Sequence, residues 1–184
     1  MIALERLGPS HLAHATTRVV AFFAGWLPWL VALALGLTEG AFAQTPTLRC
    51  AELISADQVK AILGAGMVAA APKQHEAGES ECVWRRGTDA AAVSLSVRFF
   101  DRQAIGSNPV SRTPDGYFEM LVKAGEEVGD KKREAVVGVP RAALVQATPQ
   151  ILVVVQRADG VARVVLGNSS RAQAVAVTKV IAAP

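Results

Sequence analysis

Hydrophobic and polar residues alternate most regularly over residues 91–100 (AAVSLSVRFF). In an extended strand, successive side chains point to opposite faces of the sheet. Val93, Leu95, Val97 and Phe99 therefore share one face, and the polar residues Ser94, Ser96 and Arg98 share the other. Residues 81–86 (ECVWRR) precede the segment across a short Gly-Thr-Asp connection. The two segments predict a hairpin-like pair of strands with one buried face.

Four further segments of strand length follow in the second half of the chain. They are residues 134–139 (EAVVGV), 141–147 (RAALVQA), 150–157 (QILVVVQR) and 161–167 (VARVVLG). Asp159-Gly160 separates the last two, and Asp-Gly between hydrophobic segments is a strong hairpin signal. Because most strands have a sequence neighbour with which to pair, the pattern predicts mainly antiparallel pairing.

A helical hydrophobic period occurs in three places, each directly after a hydroxyl residue: Ser55, Thr113 and Ser170. A hydroxyl at this position caps a helix by accepting a hydrogen bond from a backbone N–H of the first turn. Gln58 and Gln173 follow two of these residues at the spacing of a capping box. The order of elements predicts an α+β fold, with a mostly antiparallel sheet packed by two or three helices.

The N-terminal part of the chain has a different composition. An uncharged run over residues 19–37 follows two arginines and precedes Ala-Phe-Ala at 41–43. This order is typical of a secretory signal peptide, which predicts a signal peptide over 1–43, cleaved between Ala43 and Gln44. One exported domain, 44–184, would remain, and we expect it to be periplasmic or secreted. The alternative is an uncleaved membrane tether, because the run is just long enough to span a bilayer.

Cys50 and Cys82 are the only cysteines of the chain. Export would place them in an oxidising compartment, where two thiols of one small domain usually pair. A structural metal site would need three or four ligands at suitable spacing, and the exported part offers a single histidine, His75. A lipid-attachment motif has small residues before its cysteine, whereas Arg49 precedes Cys50. We therefore expect one disulfide, with no metal and no cofactor.

The composition and the absence of certain motifs argue against several classes of function. The net charge of +3 is too small for a committed nucleic-acid binder, which needs a concentrated basic surface. The chain contains no Gly-x-Ser-x-Gly nucleophile motif and no Walker-type phosphate loop. We therefore expect no catalytic residues, with a small hydrolase that uses carboxylates or His75 as the alternative.

Trp84 is the only tryptophan of the exported part. It lies at the same strand parity as Cys82, so it is either a core residue packed on the disulfide or a stacking surface for a ligand, with Arg86 nearby. The polar row of Ser94, Ser96 and Arg98 is either the solvated side of a sheet or part of the same surface. These five residues form the candidate ligand surface.

Several segments together resemble a group of small exported bacterial proteins, the actinobacterial cell-envelope lipoproteins classed as a domain of unknown function. These segments are CAELISADQVKAILG, CVW, GVPRAALV, the late hairpin and the alanine-rich terminal helix. The resemblance implies a helix-on-sheet fold similar to PsbP-like domains, a bridged cysteine pair and no catalytic residues. The chain departs from this group in lacking a lipidated cysteine. It also has Gly-Val-Pro-Arg at 138–141 in place of a Gly-Leu-Gly-Asp-like turn.

The sequence thus favours an exported, non-enzymatic domain of unknown function that binds an envelope protein or a small ligand. We expect no nucleic-acid partner, and membrane association only if the N-terminal segment is retained.

Overall fold

The computed structural model of the protein describes residues 49–89, 91–130 and 132–184. The predicted signal peptide and its cleavage point between Ala43 and Gln44 lie outside the described residues. Within these ranges the chain forms one antiparallel sheet of eight strands and five helices, so the α+β prediction is confirmed. None of the helices in these ranges is both long and apolar enough to cross a membrane.

The helices are α1 (Arg49–Leu53), α2 (Ala56–Leu63), α3 (Arg102–Ser107), α4 (Pro114–Val128) and α5 (Arg171–Ala182). The strands are β1 (Val68–Ala69), β2 (Lys73–Gln74), β3 (Glu79–Arg86), β4 (Val93–Asp101), β5 (Glu134–Ala135), β6 (Ala142–Ala147), β7 (Gln150–Gln156) and β8 (Gly160–Gly167). Their order in the sheet is β1-β3-β4-β8-β7-β6-β5, and β2 also pairs with β3. Helices α1 and α3 and strands β1 and β2 are not predicted by the sequence pattern.

The predicted helix caps are confirmed. The Ser55 hydroxyl accepts a hydrogen bond from the Gln58 N–H at 3.2 Å, and the Gln58 side chain accepts one from the Ser55 N–H at 2.8 Å. Ser170 and Gln173 make the same pair of bonds at the start of α5. Thr113 caps α4 by accepting a bond from the Gly116 N–H at 3.2 Å. These bonds satisfy N–H groups that have no partner within the helix.

The strand predicted over 134–139 is wrong beyond Ala135. The Val139 N–H donates a hydrogen bond to the Val136 carbonyl at 3.0 Å, which closes a turn. Gly138 within this turn has a φ of +82°, a conformation that glycine adopts without steric cost. The chain therefore turns before β6 instead of extending the sheet.

Helices cover the two faces of the sheet differently. Helices α1, α2 and α5 pack on one face, which we call the closed face, and their apolar residues join its central strands in one cluster of buried side chains. Helix α4 packs on the opposite face, the α4 face, over β6, β7 and β8. On that face, Phe118 and Val122 of α4 form a second buried cluster with Val145 and Val154. Beside α4, part-exposed polar residues of β3 and β4 continue this face.

Candidate functional site

The disulfide between Cys50 and Cys82 is confirmed, and it joins α1 to β3. The two Cα atoms are 5.7 Å apart, and both residues are buried, with exposures of 0% and 2%. The Cys50 N–H also donates a hydrogen bond to the Ser80 hydroxyl at 3.1 Å. The bridge therefore holds a five-residue helix on the closed face.

Trp84 and Arg86 lie on the closed face, on the opposite side of the sheet from the α4 face. Trp84 is 5% exposed and belongs to the same buried cluster as the disulfide. Arg86 donates a hydrogen bond to the Leu63 carbonyl at 3.2 Å, where α2 ends. A cation at a helix C-terminus stabilises carbonyls that lack a helical partner. Both residues thus have structural contacts on the closed face.

The polar row of β4 lies on the opposite face from these two residues. Trp84 pairs with Leu95 across β3 and β4, so Trp84 shares the closed face with the hydrophobic residues of β4. Ser94, Ser96 and Arg98 alternate with those residues and point to the α4 face. The five residues of the candidate ligand surface are therefore divided between two faces and do not form one surface.

A groove of about 470 Å³ lies on the α4 face, between α4 and the neighbouring strands. Its charged residues are Glu79, Arg98 and Arg163, and their charges act on the phenol of Tyr117, near the start of α4. Its other lining residues are Phe100, Leu121, Ala124, Gly125, Val128 and Leu152. The groove therefore has a charged end near the start of α4 and an apolar end near the last residue of that helix.

Two arginines face each other at the charged end. Arg98 and Arg163 are directly opposed across β4 and β8. Side chains at such positions are neighbours, and like charges there repel each other. Glu79 forms an ion pair with Arg98. Within the described ranges, no ion pair or hydrogen bond engages the Arg163 guanidinium. One positive charge at this end therefore has no counter-charge.

Tyr117 supplies a neutral polar group beside the arginines. Burial raises the pKa of its phenol above the ordinary value, and the charge of Glu79 adds to this effect. The phenol therefore stays protonated at neutral pH and can donate a hydrogen bond. Its ring also packs on Phe100, with the two ring centroids 5.1 Å apart. The charged end thus combines two cations, one carboxylate and one phenol.

A second polar cluster lies on the same face, around Glu81. His75 Nε2 is 2.9 Å from one carboxylate oxygen of Glu81, and the Ser96 hydroxyl donates a bond to the other oxygen at 2.8 Å. The carboxylate thus lies between the histidine and the serine. A histidine that activates a serine must itself contact the hydroxyl, so this arrangement does not provide a serine nucleophile with its base. In the part of the chain that the structure describes, no three metal-ligating side chains are grouped around a common point.

Because of the Glu81 cluster, the folded state should lose stability as the solution becomes acidic. Burial would raise the pKa of the Glu81 carboxyl, but the hydrogen bonds from His75 and Ser96 outweigh it and hold this pKa below the ordinary value of about 4.5. A carboxyl with a lowered pKa in the folded state stabilises that state above its unfolded pKa and loses this contribution as the pH falls through the folded value. Glu81→Gln should therefore reduce the loss of stability between about pH 6 and about pH 3, as measured by urea denaturation.

Glu76→Gln is the matched control for this measurement, because the Glu76 carboxylate is exposed and forms no ion pair or hydrogen bond within the described ranges. It should leave the pH dependence of stability unchanged. If the wild type and Glu81→Gln lost the same stability over this pH range, the cluster would contribute nothing to the pH dependence of stability.

Of the polar and charged residues that line the groove, the sequence predicts only Arg98 as a site residue and does not indicate Glu79, Tyr117 or Arg163. A signal for one of them is visible, since Arg163 is the only charged residue in the hydrophobic segment 161–167. A lone charge in a central strand requires a polar environment on its face of the sheet. Its position opposite Arg98 depends on the pairing of β4 with β8, which no local pattern indicates.

The fold and the groove together define a class of protein: a disulfide-bridged α+β domain with a ligand-sized groove on one face of its sheet. Comparisons of the chain with protein-family models, curated proteins and solved structures found no match. The resemblance to exported lipoproteins therefore stays a prediction, and a functional assignment depends on the geometry of the groove.

Proposed function

We propose that the protein is an exported, non-enzymatic binding domain that takes a small anionic ligand in the groove beside α4. One observation carries this proposal. The Arg163 guanidinium lines the groove without a partner among the described residues, while the only carboxylate of the groove already binds Arg98. A partly buried charge without a counter-charge is costly, and an anionic ligand would remove that cost.

The size of the groove favours a small ligand over an envelope protein. Its volume of about 470 Å³ falls within the roughly 300–1,000 Å³ that is typical of small-molecule sites. A stable protein partner would need about 800 Å² of buried surface on each side, and a concave groove of this size provides much less. Arginine is also suited to the task, because its planar guanidinium can bind a carboxylate or phosphate with two parallel hydrogen bonds.

Contacts at the start and in the middle of α4 fix the position of this helix beside the groove. One carboxylate oxygen of Asp115 accepts hydrogen bonds from the Gln156 side chain at 2.6 Å and from Arg141 at 2.8 Å. These bonds attach the first turn of α4 to β7 and to the start of β6. Further along, Gly125 lies so close to Leu152 that an added Cβ would overlap its side chain. A site that is formed before binding has less conformational entropy to lose when the ligand enters.

Thermal unfolding in the presence of small anions tests the proposal. Acetate, inorganic phosphate and decanoate would each be compared with chloride at the same ionic strength. A ligand present at 100 times its Kd stabilises a protein by about 2.7 kcal/mol, so at least one anion should raise the Tm by several degrees. Arg163→Met should remove this increase, and Arg85→Met, an exposed arginine outside the groove, should retain it. The proposal would be rejected if no anion stabilised the protein, or if Arg163→Met responded like the wild type.

A further inference from the structure

We infer that the ligand is an amphiphilic monocarboxylate, with its carboxylate between Arg98 and Arg163 and its hydrocarbon part along α4 towards Val128. This inference rests on the proposed function and specifies the chemistry of the ligand. It follows from three properties of the groove: its net charge, the separation of its polar and apolar ends, and its length.

The net charge of the groove selects a single negative charge. Arg98 and Arg163 contribute two positive charges and Glu79 contributes one negative charge. A monoanion makes the site neutral, whereas a phosphate dianion would leave an excess negative charge beside the Glu79 carboxylate. Like charges in a partly desolvated site repel each other strongly. The planar carboxylate also matches the fork of a guanidinium donor, and the neutral phenol of Tyr117 can donate a further hydrogen bond.

The apolar wall of the groove follows one stripe of α4. Tyr117, Leu121 and Val128 are spaced so that they lie on the same side of a helix, and they line the groove together. Val128 is 77% exposed, although it is a large hydrophobic residue at the end of this stripe. A hydrocarbon chain lying on the stripe would remove this apolar surface from water, which is the main driving force for binding apolar groups.

The dimensions of the groove suit a chain of medium length. Tyr117 and Val128 are eleven residues apart on α4, so the stripe is about 16 Å long at the rise of an α-helix. In its middle, Ala124 carries only a methyl group and Gly125 has no side chain, so α4 closely approaches Leu152 there. Leu152 supplies an apolar side chain on the opposite wall. A linear carboxylate of about ten carbons would extend from the arginines towards Val128.

Calorimetric titration of the protein with decanoate, below its micelle concentration, tests this inference. Decanoate should bind, whereas acetate, decan-1-ol and inorganic phosphate should each bind at least about tenfold more weakly, because acetate and phosphate lack the chain and decan-1-ol lacks the charge. Arg163→Met should weaken decanoate binding by about tenfold or more, since it removes charge-assisted hydrogen bonds. Val128→Asp should weaken it similarly by placing a carboxylate at the apolar end.

Two matched variants control for changes in charge and in exposed apolar surface. Arg85→Met removes an exposed arginine outside the groove, and Val137→Asp adds a charge at a valine that is 86% exposed. Both should bind decanoate like the wild type. Circular dichroism melting should show all four variants folded, because Arg163 has no ion pair to lose among the described residues and Val128 is exposed.

The outcomes separate this inference from the proposed function. If acetate or phosphate bound as tightly as decanoate and required Arg163, the ligand would be a simple anion. The amphiphile would then be excluded, and the binding groove would stand. If decanoate bound equally well to the wild type and to Arg163→Met, binding would be non-specific and both ideas would fail. Both would also fail if none of the four compounds bound.

Discussion

Reduction of the Cys50–Cys82 disulfide should lower the free energy of unfolding by roughly 3–4 kcal/mol. The bridge closes a loop with a sequence separation of 32 residues, and opening it restores conformational entropy to the unfolded chain. Domains of this size are stable by about 5–15 kcal/mol, so the loss would be a large fraction of the total. The structural effect should be concentrated at α1, because this helix has only five residues and the bridge attaches it to β3.

Urea denaturation with and without reductant measures this loss. The double variant Cys50→Ser/Cys82→Ser is the matched control, because it should unfold at the same urea concentration in both conditions. The unfolded wild type should yield two reactive thiols only after reduction. Equal stability of the oxidised and reduced wild type would contradict the structural role of the bridge.

Phe99→Ala should destabilise the protein by about 3–5 kcal/mol, the range for removing a phenyl ring from a sealed core. Phe99 has 0% exposure and lies in the central strand β4, facing the helices of the closed face. Its ring also fills the space beside Gly160, where an added Cβ would lie 2.7 Å from Cζ of the ring. The surrounding structure cannot collapse fully into the space that the ring leaves, so a cavity would remain.

Phe100→Ala is the comparison for this variant, because Phe100 is the next residue and faces the groove instead. It should cost less stability, since water or a ligand can fill the space at an open site, and it should weaken ligand binding. Chemical denaturation of both variants, with decanoate titration of those that fold, measures the two effects. Equal costs for the two substitutions would contradict the assignment of Phe99 to the sealed core of the closed face and of Phe100 to the groove on the α4 face.

Much of the fold could be predicted because its signals are local. A cap such as Ser55 or Ser170 acts within one helical turn, and the alternation in β4 reflects burial on one face of a single strand. The disulfide was predictable because the chain offers one pairing of its two cysteines. By contrast, α1 is too short to carry a hydrophobic period. Helix α3 is capped by Asp101, whose side chain accepts bonds from the N–H groups of Gln103 and Ala104, and a lone aspartate is a weak signal.

The groove could be predicted only in part. Arg98 was a candidate because the alternation of β4 gives its face, but its partners come from elsewhere in the chain. Arg163 lies opposite it only because β8 is inserted beside β4, which is a long-range pairing. Whether Trp84 and Arg86 share a face with the polar row depends on the register of β3 against β4, which the hairpin connection does not fix. A shift of one residue in that register exchanges the two faces.

The groove should bind an amphiphilic monocarboxylate in one orientation. A crystal structure of the protein with ω-bromodecanoate tests it most directly, because the anomalous signal of bromine marks the end of the chain. The carboxylate oxygens should lie within about 3 Å of guanidinium nitrogens of both Arg98 and Arg163, with the bromine near Val128. Bromine at the arginine end, a ligand outside the groove, or an empty groove at saturating ligand would contradict the claim.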